Sequence, residues 1–235
     1  MPKLELNCTV TENKWVTPTT FILKFKTEPT FQFIPGQFIS TIIPGAGPKG
    51  RDLRRAYSIA STPEEKEIAL CIKKVTGGPG STYLSQLSSG SSFKGLAPYG
   101  DFIYKTAEDR IPCFIATGTG VAPFRTILKS VQYRKNPAKK AICLFGTTFE
   151  NELLYHEDLA SIPELDLKVC LSREEQAHDY FKGRVTQCLR ELAPQWEIDK
   201  IDFYLCGNGA MIKEVKEILN EYEVPKTAIY QEKYY

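Results

Sequence analysis

Four consecutive residues, Arg55-Ala56-Tyr57-Ser58, place a guanidinium, an aromatic face and a hydroxyl on a segment that reads as extended. Period-two alternation sends Arg55 and Tyr57 to one side of a strand and Ala56 and Ser58 to the other. Such a set suits a planar, anionic ligand: the guanidinium grips a phosphate bidentately, the phenol stacks on a ring, and the hydroxyl bonds a ring nitrogen. The same residues also suit an ordinary strand with a surface Arg, a packing Tyr and a Ser entering the next loop. Four residues leave both readings open.

Three more stretches carry chemistry, each at the end of an apolar run. Thr117-Gly118-Thr119-Gly120-Val121-Ala122-Pro123 follows residues 113–116. Its two glycines allow close backbone approach to a ligand, and Pro123 suits a first helical turn, so a positive helix end would face a pyrophosphate. Pro123 stands where the third glycine of a full dinucleotide fingerprint would be, and a purely structural strand-to-helix turn is the competing reading. Ser172 and Arg173, with Lys182 and Arg184 downstream, gather cations and a hydroxyl suited to a dianion such as the 2′-phosphate of NADP. Two charge-assisted bonds of ~1.5–3 kcal/mol each would discriminate NADP from NAD by roughly 10²–10⁴, less if solvent-exposed. A solvated basic loop is the alternative. Finally, Cys206-Gly207-Asn208-Gly209-Ala210-Met211 sets a thiol at a strand terminus beside glycines that admit a flat ligand.

The elements that must position these groups change character along the chain. Up to about residue 105, short segments rich in β-branched and aromatic residues (8–16, 21–26, 37–43, 57–60, 68–75) are separated by Gly/Pro turns. That rhythm predicts an antiparallel barrel or sandwich. A short helix interrupts it, with Ser81 as cap and Tyr83, Leu84 and Leu87 as its apolar stripe. Beyond that point apolar runs at 113–116, 142–145, 167–171 and 203–206 alternate with helical stretches at 123–133, 151–161, 183–192 and 210–222. Continuous apolar strands alternating with helices predict a parallel α/β sheet covered on both faces. The expected domains are 1–105 and 106–235. The chain ends in a run bearing Glu232, Tyr234 and Tyr235, either a docked aromatic tail or a last strand with an exposed end.

Bulk properties narrow the function. The 235 residues are 42% hydrophobic and 25% charged, as expected of a globular protein with room for one large or two small cores. Thirty Lys+Arg against 28 Asp+Glu leave +2, which argues against a general nucleic-acid binder. Lys49, Arg51, Arg54 and Arg55 form one local basic group. The seven cysteines, at 8, 71, 113, 143, 170, 188 and 206, show no Cys-x-x-Cys spacing, so no thiolate metal site is expected. Scattered free thiols point to a reducing cytoplasm. Cys113, Cys143 and Cys170 read as core, and His156 and His178 as surface residues. No signal peptide and no membrane-spanning run is expected.

Read together, RAYS at 55–58, CIKK at 71–74, GPGSTYL at 78–84, GTGVAPFRTIL at 118–128, LSRE at 171–174, CGNGAM at 206–211 and the terminal EKYY stand in the order found in the ferredoxin–NADP reductase family, which the chain resembles over essentially its whole length. The resemblance implies a flavin-binding β-barrel followed by a nucleotide-binding α/β domain, with FAD and NADP(H) as cofactors. It implies hydride exchange between nicotinamide C4 and flavin N5, and single-electron exchange with a separate ferredoxin or flavodoxin. Arg55 would hold the FAD pyrophosphate, Ala56 and Tyr57 the flavin, and Ser58 a position near N5. Cys71, Ile72 and Lys73 would run beside FAD, with Gly80, Ser81 and Thr82 at its pyrophosphate. Thr117, Gly118, Thr119, Gly120, Val121, Ala122 and Pro123 would take the NADP pyrophosphate, and Ser172, Arg173, Lys182 and Arg184 the 2′-phosphate. Ser58, Cys206 and Glu232 would flank hydride transfer, and Gly207 and Met211 would help hold the cofactor. Tyr234 would cover the flavin face opposite Tyr57, extended by Tyr235. A monomer is expected. The alternatives are an NADH-using reductase serving an oxygenase, haem protein or ferric iron, against which the cations at 173, 182 and 184 weigh, and a non-catalytic flavin or nucleotide sensor.

Overall fold

A computed structural model describes residues 3–174 and 179–234. The first sheet comprises β1 (Leu4–Trp15), β2 (Thr20–Glu28), β3 (Phe38–Ile43), β4 (Leu53–Ser58), β5 (Ile68–Lys73) and, after helix α1 (Pro79–Ser85), β6 (Ser92–Tyr99). All pairings are antiparallel, in the order β4-β3-β6-β1-β2-β5. The sheet curls until Ile59 bridges Leu70 between its two edges. Alternation drives this: Leu6, Cys8 and Val10 of β1 and Phe21, Leu23 and Phe25 of β2 point inward and are buried, while Glu5, Thr9 and Lys26 face water. Leu84 of α1 plugs the same core.

The second sheet is wholly parallel. It contains β7 (Ile111–Thr117), β8 (Ala141–Thr147), β9 (Leu165–Leu171), β10 (Phe181–Lys182), β11 (Ile201–Asn208) and β12 (Ile229–Tyr234), in the order β10-β9-β8-β7-β11-β12. Every residue of the central β8 is buried, as a strand covered on both faces requires. Helices α2 (Ala122–Lys129), α3 (Val131–Lys135) and α4 (His156–Ala160) pack on one face; α5 (Val185–Leu192) and α6 (Gly209–Glu221) cover the other. The chain leaves β7 toward β8 and returns to β11 on the other side, so the topological switch lies between β7 and β11. Ligand crevices open at that point, beyond the strands' carboxyl ends.

Several elements differ from expectation. The helix expected over 123–133 breaks at Ser130, whose hydroxyl accepts from Tyr133 N (3.1 Å) and donates to Ile127 O (2.8 Å), capping the second piece. Over 151–161 only His156–Ala160 is α-helical. Tyr155 is left-handed (φ 55°) and its phenol bonds the Cys71 thiol in the other domain, while Leu154 is buried, so tertiary burial overrides helix propensity. Ser81 does not cap α1: Gly78 holds the N-cap position and Pro79 follows, while Ser81 Oγ accepts from Val75 N at 3.0 Å. Strands β6 and β10 have no counterpart among the expected segments, and the terminal run forms the strand β12.

The domains share a seam. Ala60, Ala69, Cys71 and Phe102 join one apolar cluster with Phe114, Phe124 and Tyr204. Arg125 of α2 donates to Asp158 Oδ2 (2.8 Å), to the Ala60 carbonyl (2.8 Å) and to Glu65 Oε1 (2.9 Å), and Thr126 Oγ1 donates to the Ile59 carbonyl (3.0 Å). No described helix is long and apolar enough to cross a membrane.

Candidate functional site

The seam holds the switch point of the parallel sheet against the β4–β5 edges of the curled sheet, and between them runs a cleft of about 1240 Å³. Arg55, Ala56, Tyr57, Ser58, Cys71, Ile72, Lys73, Gly80 and Ser81 line its first wall. Arg55 and Tyr57 share one side of β4, as the alternation requires, and both meet the start of α1. A methyl on Gly80 would stand 2.6 Å from the Tyr57 hydroxyl and 2.9 Å from Arg55 Cγ, so only glycine admits this approach. Burial pushes the Tyr57 phenol up to about 12 despite the Arg55 charge, keeping it a neutral aromatic. The first-turn N–H groups of Gly80 and Ser81 have no acceptor within a helix, whereas Thr82 N–H already donates to Gly78 O (3.0 Å) and Thr82 does not line the cleft. Arg55, exposed, spends one bond on the Arg54 carbonyl.

Where the walls converge, Ser58 Oγ donates to Glu232 Oε1 at 2.5 Å and lies 2.7 Å from the Tyr234 hydroxyl. Register explains the company: in parallel β11–β12, Cys206 pairs with Glu232 and Asn208 with Tyr234. Burial raises the Glu232 carboxyl above the ordinary carboxylate range, partly offset by the Ser58 hydrogen bond. The Cys206 thiol is raised well above its ordinary value, by burial and then by the Glu232 charge, against a bond from Tyr234 that lowers it. Burial likewise keeps the Tyr234 phenol neutral. Phe38 stands alongside, stacked on Tyr99 at 5.6 Å, and a methyl on Gly100 would fall 2.9 Å from Phe38 and 3.7 Å from Glu232 Oε2.

On the second wall, Thr117, Gly118, Thr119, Gly207, Asn208 and Met211 face the cleft. The two glycines of the first loop divide their tasks. Gly118 (φ 54°) has open space where a methyl would be, but one on Gly120 would sit 2.3 Å from the Cys206 carbonyl. Gly120 therefore lets the turn after β7 close on β11, and Gly120 through Pro123 stand behind the cleft, with Val121 and Ala122 in the core. Of the four residues expected at a phosphate, Ser172 and Arg184 line the cleft; Arg173 and Lys182 are exposed and do not. Tyr235 and His178 lie outside the described residues, and His156 is half-buried rather than on the open surface.

Some lining residues had no sequence signal. Thr19 Oγ1 donates across the cleft to Glu152 Oε1 (2.9 Å), whose other oxygen is 4.0 Å from Lys73 Nζ. Thr147, Thr148 and Thr186 also line it. None belongs to a Gly-rich or cationic run; only the fold brings them to one place.

Fold and cleft define a two-domain oxidoreductase that binds a flavin dinucleotide on its β-barrel and a nicotinamide dinucleotide on its α/β sheet. Residues 7–104 match the oxidoreductase FAD-binding domain and residues 114–217 the oxidoreductase NAD-binding domain. The chain is 30% identical to ferredoxin–NADP reductase B of Sorangium cellulosum over 214 residues, covering 87% of this chain and 86% of that one. It is 29% identical to the toluate 1,2-dioxygenase electron transfer component of Pseudomonas putida over 86% of this chain and 59% of that protein. The fold is that of a ferredoxin–NADP reductase from Neisseria gonorrhoeae with bound FAD and NADP, at a TM-score of 0.82 and 19% identity over 99% of both chains. The chain belongs to the ferredoxin–NADP reductase family. Its cofactors are FAD and NAD(P)H, and the chain offers what they need: a glycine-lined crevice under Arg55 and Tyr57, unspent helix-start N–H groups and a second glycine turn open at Gly118.

Proposed function

We propose that the protein is an NADPH-dependent reductase exchanging electrons with a ferredoxin or flavodoxin, with FAD on residues 1–105 and NADP(H) on residues 106–235. The observation that carries it is the cluster of Ser58 from one domain with Cys206, Glu232 and Tyr234 from the other, at the point where the two cofactor walls meet. Bound FAD supplies the conversion between hydride and single-electron transfer.

The protein's own part is positioning and proton control. Ser58 holds its proton on the Glu232 carboxylate, and burial raises that carboxyl's affinity for a proton above the ordinary carboxylate range, which suits it to take or return one. Cys206 remains a neutral thiol, so no negative sulfur opposes an arriving hydride. Tyr234 fills the space between Ser58 and Cys206 and must yield it to a second planar ring. Ser172 and Arg184 favour a 2′-phosphate. The exposed basic group Lys49, Arg51, Arg54 and Arg55 suits an acidic carrier.

Anaerobic rapid mixing tests this reading. NADPH bleaches the flavin at least tenfold more efficiently than NADH, and the reduced protein then reduces ferredoxin or flavodoxin. A preference for NADH, with neither carrier reduced, overturns it. The second reading, an NADH-dependent component serving an oxygenase, draws on the likeness to the Pseudomonas protein and on Arg173 and Lys182 standing outside the cleft.

A further inference from the structure

The ladder between β11 and β12 ends with Gly207 beside Lys233 and Asn208 beside Tyr234. Successive side chains leave a strand on opposite faces. Glu232 and Tyr234 accordingly share one face and both meet the Ser58 hydroxyl. Lys233 turns the other way, onto the start of α6.

Two glycines border this lysine, and they are glycines for different reasons. Gly207 has φ 130°, a conformation that side chains rarely adopt. Gly209 opens α6 after the Asn208 cap, where no positive φ is required and a glycine forgoes helix propensity. What it leaves is room. A methyl on Gly209 would overlap Lys233 Cε and stand 3.2 Å from Cδ and 3.1 Å from Nζ. The lysine stem therefore lies across the helix start, in space that any other residue would fill. Lys233 lines the cleft there together with Asn208, Ala210 and Glu214.

We propose that Lys233 and Gly209 form a latch on the end of β12 that sets how readily Tyr234 yields its place to the nicotinamide ring, making Lys233 a positioning residue that acts through Tyr234. This rests on the reading of Tyr234 given above. The phenol is held on one face by Ser58 and Cys206, and the strand end is held on the other by the stem on Gly209. Moving the ring aside lifts the end of β12 and draws the stem off the helix. Two rings compete for one place, so whatever holds the first subtracts from affinity for the second. The nearest approach to Gly209 is made by a methylene, so the hold is one of packing rather than of charge.

The test is equilibrium binding of NADP⁺ and of 2′,5′-ADP to the FAD-loaded protein. The second ligand lacks the nicotinamide and is indifferent to Tyr234. Lys233→Ala removes the stem, and Gly209→Ala pushes its flexible end aside at little cost to the fold. In each, NADP⁺ binds about fourfold more tightly, the worth of one buried methylene, while 2′,5′-ADP binds as in wild type. The flavin absorbance change that marks a seated nicotinamide grows in parallel. Lys233→Met keeps the stem, drops the charge and behaves as wild type. The two alanines combined tighten NADP⁺ no further than either alone, and neither acts in a Tyr234→Ser background. Weaker NADP⁺ binding in both Lys233→Met and Lys233→Ala assigns the ammonium to the dinucleotide itself and overturns the latch. Unchanged binding in both alanine variants overturns it too, as does a tightening that persists with Tyr234→Ser. Should Tyr234→Ser alone leave NADP⁺ affinity unmoved, it is the reading of Tyr234 that falls. A wild type that prefers NAD⁺ overturns the NADPH reading instead, and NAD⁺ against 5′-ADP then reads the latch.

Discussion

The seam and the cleft are two faces of one domain contact, and they treat polar groups in opposite ways. At the seam most polar groups are answered: Arg125 by Asp158, Glu65 and the Ala60 carbonyl, Thr126 by the Ile59 carbonyl, Tyr155 by Cys71, the buried Tyr133 hydroxyl being an exception among the described residues. Along the cleft, groups are buried without full compensation: Thr186 has no partner, Glu232 is held above its ordinary proton affinity, and the helix-start N–H groups face open space. A buried polar group costs stability unless bonded, so the seam carries the domain arrangement and the cleft holds its groups ready for ligands. The clasp of Thr19 and Lys73 on Glu152 marks the border between them.

Substitutions separate the two faces, beginning with the seam. Arg125→Ala leaves the Ala60 carbonyl unanswered and Asp158 with only Lys129, behind a side chain just 17% exposed, and lowers stability by about 2–4 kcal/mol in urea unfolding. A loss under about 0.5 kcal/mol would make the seam an ordinary surface contact. Gly80→Ala forces the Tyr57 hydroxyl and Arg55 away from α1, so FAD is held about tenfold more weakly (about 1.4 kcal/mol), read from the fluorescence of released flavin. Undiminished retention would remove the Arg55–Tyr57–Gly80 cradle from the flavin site.

The smallest effect is a slope. With its folded affinity for protons raised, Glu232 contributes stability fully present below its ordinary value of 4.5 and lost as pH rises through the raised one. Glu232→Gln removes that loss, so thermal unfolding finds the variant matching wild type in acid and exceeding it toward neutrality. A constant difference across the range would show that burial does not perturb this carboxyl.

Much of this was legible in the residues. Runs rich in β-branched and aromatic residues between Gly/Pro turns marked β1 and β2, and period-two alternation along β4 placed Arg55 and Tyr57 together; continuous apolar runs marked β7, β8, β9 and β11. The Gly-rich turns stand where their spacing indicated. Less was legible where a residue serves a distant partner. Gly120 reads like Gly118 in the chain, yet it meets the Cys206 carbonyl rather than the cleft. Leu153, Leu154 and Tyr155 read as helical, but the seam takes Leu154 and the Tyr155 phenol. Thr186 carries no motif at all.

The residues by themselves determined the two rhythms, the order of the glycine turns and cations, and which side of β4 each group takes, because backbone geometry sets periodicity locally. Only the tertiary structure decided that Ser58 meets Glu232 and Tyr234 from the other end of the chain, that two of four cations-and-hydroxyl candidates face the cleft, and that one buried threonine lacks a partner. Those outcomes depend on where the parallel sheet reverses its winding and how the curled sheet docks against it, and no spacing along the chain encodes either.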